Sequence, residues 1–137
     1  MLKQTLQHPP LLSAVAAAGH GARILLADGN FPISTAVNQA AQVVYLNLRR
    51  GLLTVSDVLQ PLTETIAVEA AALMQSPDGS PVAAHADYRD ILGPDVPFQL
   101  VERFTFYDAT RAPDVAVAVM TGDERLCANL LLTVGLP

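Results

Sequence analysis

Residues 22–30 read Ala22-Arg23-Ile24-Leu25-Leu26-Ala27-Asp28-Gly29-Asn30, a short, nearly continuous apolar run closed by turn-forming residues. A strand with one wet face alternates apolar and polar positions, so this run predicts a strand covered on both faces. Upstream, Pro9 and Pro10 suit a first helical turn, where a missing N–H is harmless, and Gly19 suits the stop; Pro9 to Ala18 is therefore predicted helical. Downstream, a second strand is expected over Gln42 to Leu48. Beyond the Arg49-Arg50-Gly51 turn, Val55, Val58, Leu59, Leu62 and Ile66 recur at helical spacing. Val68 to Met74 reads as another strand or buried segment, although its alanines lower strand propensity. The Ser76–Pro81 loop then precedes a helix over Val82 to Leu92, ending at Gly93-Pro94. Leu100 to Tyr107 fits strand alternation and helical spacing about equally and stays open at this point. Val115 to Met120 and Asn129 to Val134 are strands by the same criteria, with Gly122 and Gly135 at their ends. Helices alternating with buried strands imply an α/β fold, a single layered domain over residues 1–137 with helices on both faces of a central sheet.

Composition narrows the function classes. The chain has 137 residues, 51% of them hydrophobic, and a formal net charge of −5. That length and apolar content support a buried core without disulfide or metal help and exclude a disordered chain. With 8 basic residues against 13 acidic ones and no basic cluster, no phosphate-tracking surface is expected, and hence no nucleic-acid partner. The single Cys127 cannot close an internal disulfide, and His8, His20 and His85 share no metal-ligand spacing, so no metal site is expected. A reducing, cytoplasmic location fits this cysteine usage. The apolar run after Lys3 is short and opens with two prolines, so it is not read as a secretory signal. No stretch approaches the ~20 apolar residues that span a bilayer, so no membrane partner is expected. Only 15% of residues are charged, below the usual quarter or so, which points to apolar surface hidden against further copies of the chain.

Three segments carry candidate chemistry. Gly19-His20-Gly21 places an imidazole, which can exchange protons near neutral pH, between two small neighbours that leave room for a ligand. Taken alone, a histidine in a helix-terminating turn is more often structural. Asp28-Gly29-Asn30-Phe31-Pro32 follows the first strand, where open α/β sheets place ligand loops, and a carboxylate beside an amide can bind vicinal hydroxyls. The dipeptide by itself equally describes an ordinary Asp-Gly turn. Arg103 to Tyr107 gathers a guanidinium, two phenyl rings and a phenol, groups that can line a sugar site or serve as core and surface. His85 and Arg89, at helical i, i+4 spacing, are expected on a shared solvated face. Cys127 reads better as a buried small residue than as a nucleophile, since no histidine lies near it in sequence.

Together, Gly19-His20-Gly21, Asp28, Arg103-Phe104-x-Phe106-Tyr107, Thr121-Gly122, Asn129 to Leu132 and Gly135 resemble, in order and spacing, the RbsD/FucU family of D-ribose pyranases and L-fucose mutarotases. The Arg103 to Tyr107 segment is closer to the fucose branch, whereas Leu46-Asn47-Leu48 before Gly51 is similar to the ribose branch. The resemblance implies a mixed-sheet α/β domain, a helical Arg103 to Tyr107, and rings or larger homo-oligomers with monosaccharide sites at subunit boundaries. It further implies His20 as proton donor, Tyr107 as catalytic phenol, and Asp28, Arg103 and Asn129 as sugar ligands. Cys127 stands in the expected pocket where the family usually has tyrosine, and Asn30 where the fucose branch often has histidine. The activity implied is that of an isomerase. A sugar such as L-fucose would change anomer, or pyranose and furanose forms would interconvert, by acid–base ring opening that needs no cofactor. The alternatives are a non-catalytic monosaccharide-binding accessory of uptake or sensing and, behind it, an unrelated isomerase or a thiol-dependent enzyme using Cys127.

Overall fold

The apolar run after Ala22 is β1 (Arg23–Ala27), and its residues Ile24 to Ala27 are completely buried. The computed structural model describes residues 1–137. In chain order it contains α1 (Pro9–Ala17), β1, β2 (Gln42–Tyr45), α2 (Val55–Thr63), β3 (Val68–Met74), α3 (Ala83–Leu92), β4 (Phe98–Val101), α4 (Arg103–Arg111), β5 (Val115–Met120) and β6 (Leu130–Val134). The six strands form one sheet in the order β2-β5-β1-β6-β3-β4. β1 pairs parallel with β5, β2 with β5 and β3 with β4, whereas β6 runs antiparallel to both β1 and β3. Five strands therefore point one way and β6 alone points back, which makes this the mixed sheet that was expected.

Alternation along β1 explains its burial on both sides. Ile24 and Leu26 join a core with Leu11 of α1, Leu59 and Leu62 of α2 and Tyr88 of α3. Leu25 and Ala27 face the other way, onto Phe31, Ile33 and Phe106 of α4. Helices thus cover both faces, as a strand of uniform apolar character requires.

Several boundaries differ from the sequence reading. β2 stops at Tyr45 because Leu46 to Gly51 turn away, Leu48 N–H closing on the Leu46 carbonyl. α2 begins after a reciprocal cap, in which Asp57 N–H donates to Thr54 Oγ1 while Thr54 N–H donates to the Asp57 carboxylate. The alanine-rich 68–74 segment is a strand, since Ala71 and Ala72 lie between β6 and β4 where small side chains are tolerated. The ambiguous 100–107 stretch is both things at once. Strand β4 ends at Val101, and Glu102 caps α4 by accepting from the N–H groups of Phe104 and Thr105. Those two N–H groups hold the Glu102 carboxyl below its ordinary range. His85 and Arg89 do not share a solvated face. His85 is half-buried against Tyr88, its Nε2 without a partner, while Arg89 lies over the Phe98 ring at 4.7 Å. No helix is long and apolar enough to cross a membrane.

Candidate functional site

With five strands parallel and β6 reversed, one edge of the sheet collects the carboxyl ends of β1, β3 and β4 together with the amino end of β6. A cavity of about 650 Å³ opens there, lined by residues that include Asp28, Asn30, Met74, Arg103, Tyr107, Cys127 and Asn129. This is where open α/β sheets place their ligands, because loops leaving the strand ends can diverge and bare their polar groups.

Its floor is a reciprocal clasp. Asp28 N–H donates to Asn129 Oδ1 at 2.8 Å, and Asn129 Nδ2 donates back to Asp28 Oδ2 at 2.9 Å. The second carboxylate oxygen accepts from Asn30 N–H at 2.9 Å. Asp28 and Asn129 are each only 3% exposed. Burial pushes the Asp28 carboxyl above its ordinary value, against the pull of the Asn30 and Asn129 donors, and the nearby Asp123 charge adds to the rise. Tyr88, wholly buried in α3, donates its hydroxyl to the Ala128 carbonyl at 2.7 Å and so fixes the segment that carries Cys127 and Asn129.

The walls come from α4 and two loops. One helical turn apart, Arg103 Nε donates to Tyr107 Oη at 3.0 Å, which leaves the outer guanidinium nitrogens free for a ligand. The phenol hydrogen bond stabilises the charged guanidinium further. Phe31 packs edge-on against Tyr107, with ring centroids 5.4 Å apart. Cys127 is half-buried in the wall in a left-handed backbone conformation, φ 61°. Burial pushes its thiol up and the Asp28 charge adds to this, so Cys127 sits as a neutral thiol, a poor nucleophile. Opposite, Asp78 is ringed by Ser76 and Ser80, whose hydroxyl and N–H donors hold its carboxyl down at about 2.

Of the six residues named from the sequence, Asp28, Arg103, Tyr107, Cys127 and Asn129 line one cavity. His20 does not. It precedes β1 whereas Asp28 follows it, and at about 3.3 Å per residue the strand alone separates them by roughly 16 Å. His20 instead lies half-exposed at the far end of the sheet, its Nε2 3.0 Å from the Glu69 carboxylate. The wall formed by Ser76, Asp78 and Ser80 was missed by sequence reasoning. Its signal was available, since the loop leaves β3 at the same sheet edge as the Asp28 loop leaves β1. No group of three or more His, Cys, Asp or Glu side chains is placed to hold a metal ion.

Fold and site together define a small α/β domain with polar groups converging in a cavity at the carboxyl edge of a mixed sheet. The chain belongs to the RbsD/FucU transport protein family, whose model matches residues 1–137. Among solved structures it is similar to Bacillus subtilis RbsD complexed with D-ribose, with 23% identity, a TM-score of 0.86, and coverage of 100% of this chain and 99% of that one. It is also similar to the fucose mutarotase of Streptococcus pneumoniae in complex with L-fucose, at 22% identity and a TM-score of 0.82, covering 95% and 94% of the two chains. FucU from Bifidobacterium longum matches at 24% identity and a TM-score of 0.81, covering 96% of each chain. At these identities the likeness establishes the fold.

Proposed function

We propose that this protein is a monosaccharide mutarotase that opens and recloses the ring of a reducing sugar. The observation that carries the reading is the buried Asp28–Asn129 clasp facing Arg103 and Tyr107 across one cavity. A carboxylate, an amide and free guanidinium nitrogens offer acceptors and donors for several hydroxyls of one small ring. Family membership, and the ribose and fucose complexes among the similar structures, support the same ligand class.

Ring opening needs two proton movements on one sugar. The anomeric hydroxyl loses a proton as the bond from the anomeric carbon to the ring oxygen breaks, and the ring oxygen gains one. Closure on the opposite carbonyl face gives the other anomer, and closure through a different hydroxyl exchanges pyranose for furanose. General acid–base catalysis of this kind is worth ~10²–10⁴-fold. Tyr107 serves one oxygen. The other is served by His20 of a second copy, because within one chain His20 stands at the opposite end of β1. A head-to-tail contact that sets the His20 corner of one copy against the cavity of the next closes into a ring. Phe104 and Leu126, exposed apolar side chains beside the cavity, supply surface for that contact.

The test is saturation-transfer NMR with a panel of monosaccharides that includes L-fucose and D-ribose, which reports substrate and reaction together. His20→Ala is expected to abolish accelerated anomer exchange and leave the oligomer intact; undiminished exchange would reject the assignment. A second reading, sugar binding without turnover, is favoured by the absence of any imidazole from the single-chain cavity. Calorimetric binding with no change in exchange rate would establish it instead.

A further inference from the structure

At the far end of the sheet, three backbone features converge on the contact between His20 and Glu69. β3 pairs with β6 through Val68↔Val134 and then Ala70↔Thr133, so two steps along β3 match one along β6 and Glu69 is the extra residue. Such a bulge gives up one ladder position and re-aims the side chain it carries. Across from it stands Gly135, where any Cβ would lie 3.0 Å from Glu69 Cβ and 3.2 Å from Glu69 N, tighter than most real Cβ contacts. The His20 turn is fastened to the same strand end. Gly21, at φ +82°, donates its N–H to the Val134 carbonyl at 2.8 Å, and Gly135 N–H donates to Ala67 at 2.9 Å. The bulge, the missing side chain and the left-handed turn all act on one imidazole–carboxylate contact.

We propose that Glu69 is a positioning residue for His20, an inference that rests on His20 acting as the proton carrier. Glu69 accepts a hydrogen bond from His20 Nε2–H and so fixes the tautomer whose Nδ1 bears the lone pair. Nδ1 has no hydrogen-bond partner within the chain, which makes it the nitrogen that meets the sugar. During turnover Nδ1 takes a proton from a sugar hydroxyl and later returns it, while Glu69 holds the ring orientation and balances the transient imidazolium charge. Because Glu69 acts through His20 and touches no sugar, its loss lowers kcat and leaves KM unchanged.

The experiment compares wild type, Glu69→Ala, Glu69→Gln and His20→Ala by ¹⁵N NMR of the His20 ring, where it is present, and by anomer exchange. Wild type is expected to show the Nε2–H tautomer. Glu69→Ala should show mixed tautomers and a kcat lowered by about 10- to 100-fold, the size found for partners that orient an imidazole ligand. In Glu69→Gln the amide oxygen still accepts, so the tautomer should hold and part of the rate return. An inactive His20→Ala beside a Glu69→Ala protein with unchanged tautomer and rate would overturn the role of Glu69 and leave the proposed function standing. Full exchange in His20→Ala would overturn both.

Discussion

The two ends of β1 carry polar contacts of opposite character. At one end Asp28 and Asn129, each 3% exposed, exchange two hydrogen bonds and leave no polar atom of the clasp stranded. At the other end His20 and Glu69 share one contact and stand about half in solvent. The difference is one of what each end can give away. A buried pair that loses a member strands its partner without water, whereas an exposed pair that separates finds water at once. The first arrangement suits groups that must be in place before a ligand arrives, and the second suits a group that must reach a ligand held elsewhere.

Stability measurements can break this contrast. Asn129→Ala strands an Asp28 carboxylate oxygen and the Asp28 N–H, and should lower the unfolding free energy by about 1–3 kcal/mol. His20→Ala should change it by no more than about 0.5 kcal/mol, as substitutions away from buried networks do. Both are read by urea unfolding, and equal losses would show that the two ends are not different in kind. Tyr88→Phe, next in size, removes the hydroxyl that pins Ala128 and should cost about 0.5–1.5 kcal/mol. Calorimetry should also show weaker sugar binding in that variant, since Ala128 sits between two cavity residues; unchanged affinity would confine Tyr88 to the core.

A pH series sharpens the comparison within the cavity itself. The folded state raises the Asp28 carboxyl above 3.8, so it holds that proton more tightly than the unfolded chain does. The contribution of Asp28 to stability must then fall as pH rises from 3.8 through the folded value. Asp78, held down at about 2, has the opposite sign, its contribution being present above 3.8 and lost as pH falls toward 2. Subtracting the unfolding free energy of Asp28→Asn from that of wild type, between about pH 4 and 7, should give a difference that declines with pH. A difference that climbs would mean that the hydrogen bonds to Asp28 outweigh its burial.

Most of the frame was legible because it rests on patterns that packing enforces. A run such as Ile24 to Leu26 has nowhere to go but the middle of a sheet, and the Ser76–Pro81 and Gly93-Pro94 breaks mark ends that any fold must respect. β4 was obscured because Val101 passes through Glu102 into α4 with no glycine or proline to separate a period of two from a period of 3.6. His85 was misjudged because helical spacing shows which residues share a side but not which side is covered. The cavity was legible in part. Asp28 and Asn129 stand 101 residues apart in sequence, and only the antiparallel return of β6 joins them. The same geometry hides His20, whose eight-residue distance from Asp28 looks like proximity and is in fact the length of a strand.

β6 comes last of the six strands in chain order yet sits near the middle of the sheet, pairing with β1 on one side and β3 on the other. Until residues 130–134 emerge from the ribosome, the β2-β5-β1 and β3-β4 ribbons have no shared ladder, each exposing an unpaired border. Synthesis from the amino end therefore postpones closure to the final strand, and the long sequence separation of its contacts favours slow, late assembly. The ligand cavity, which needs Asn129, is born in that same closing step.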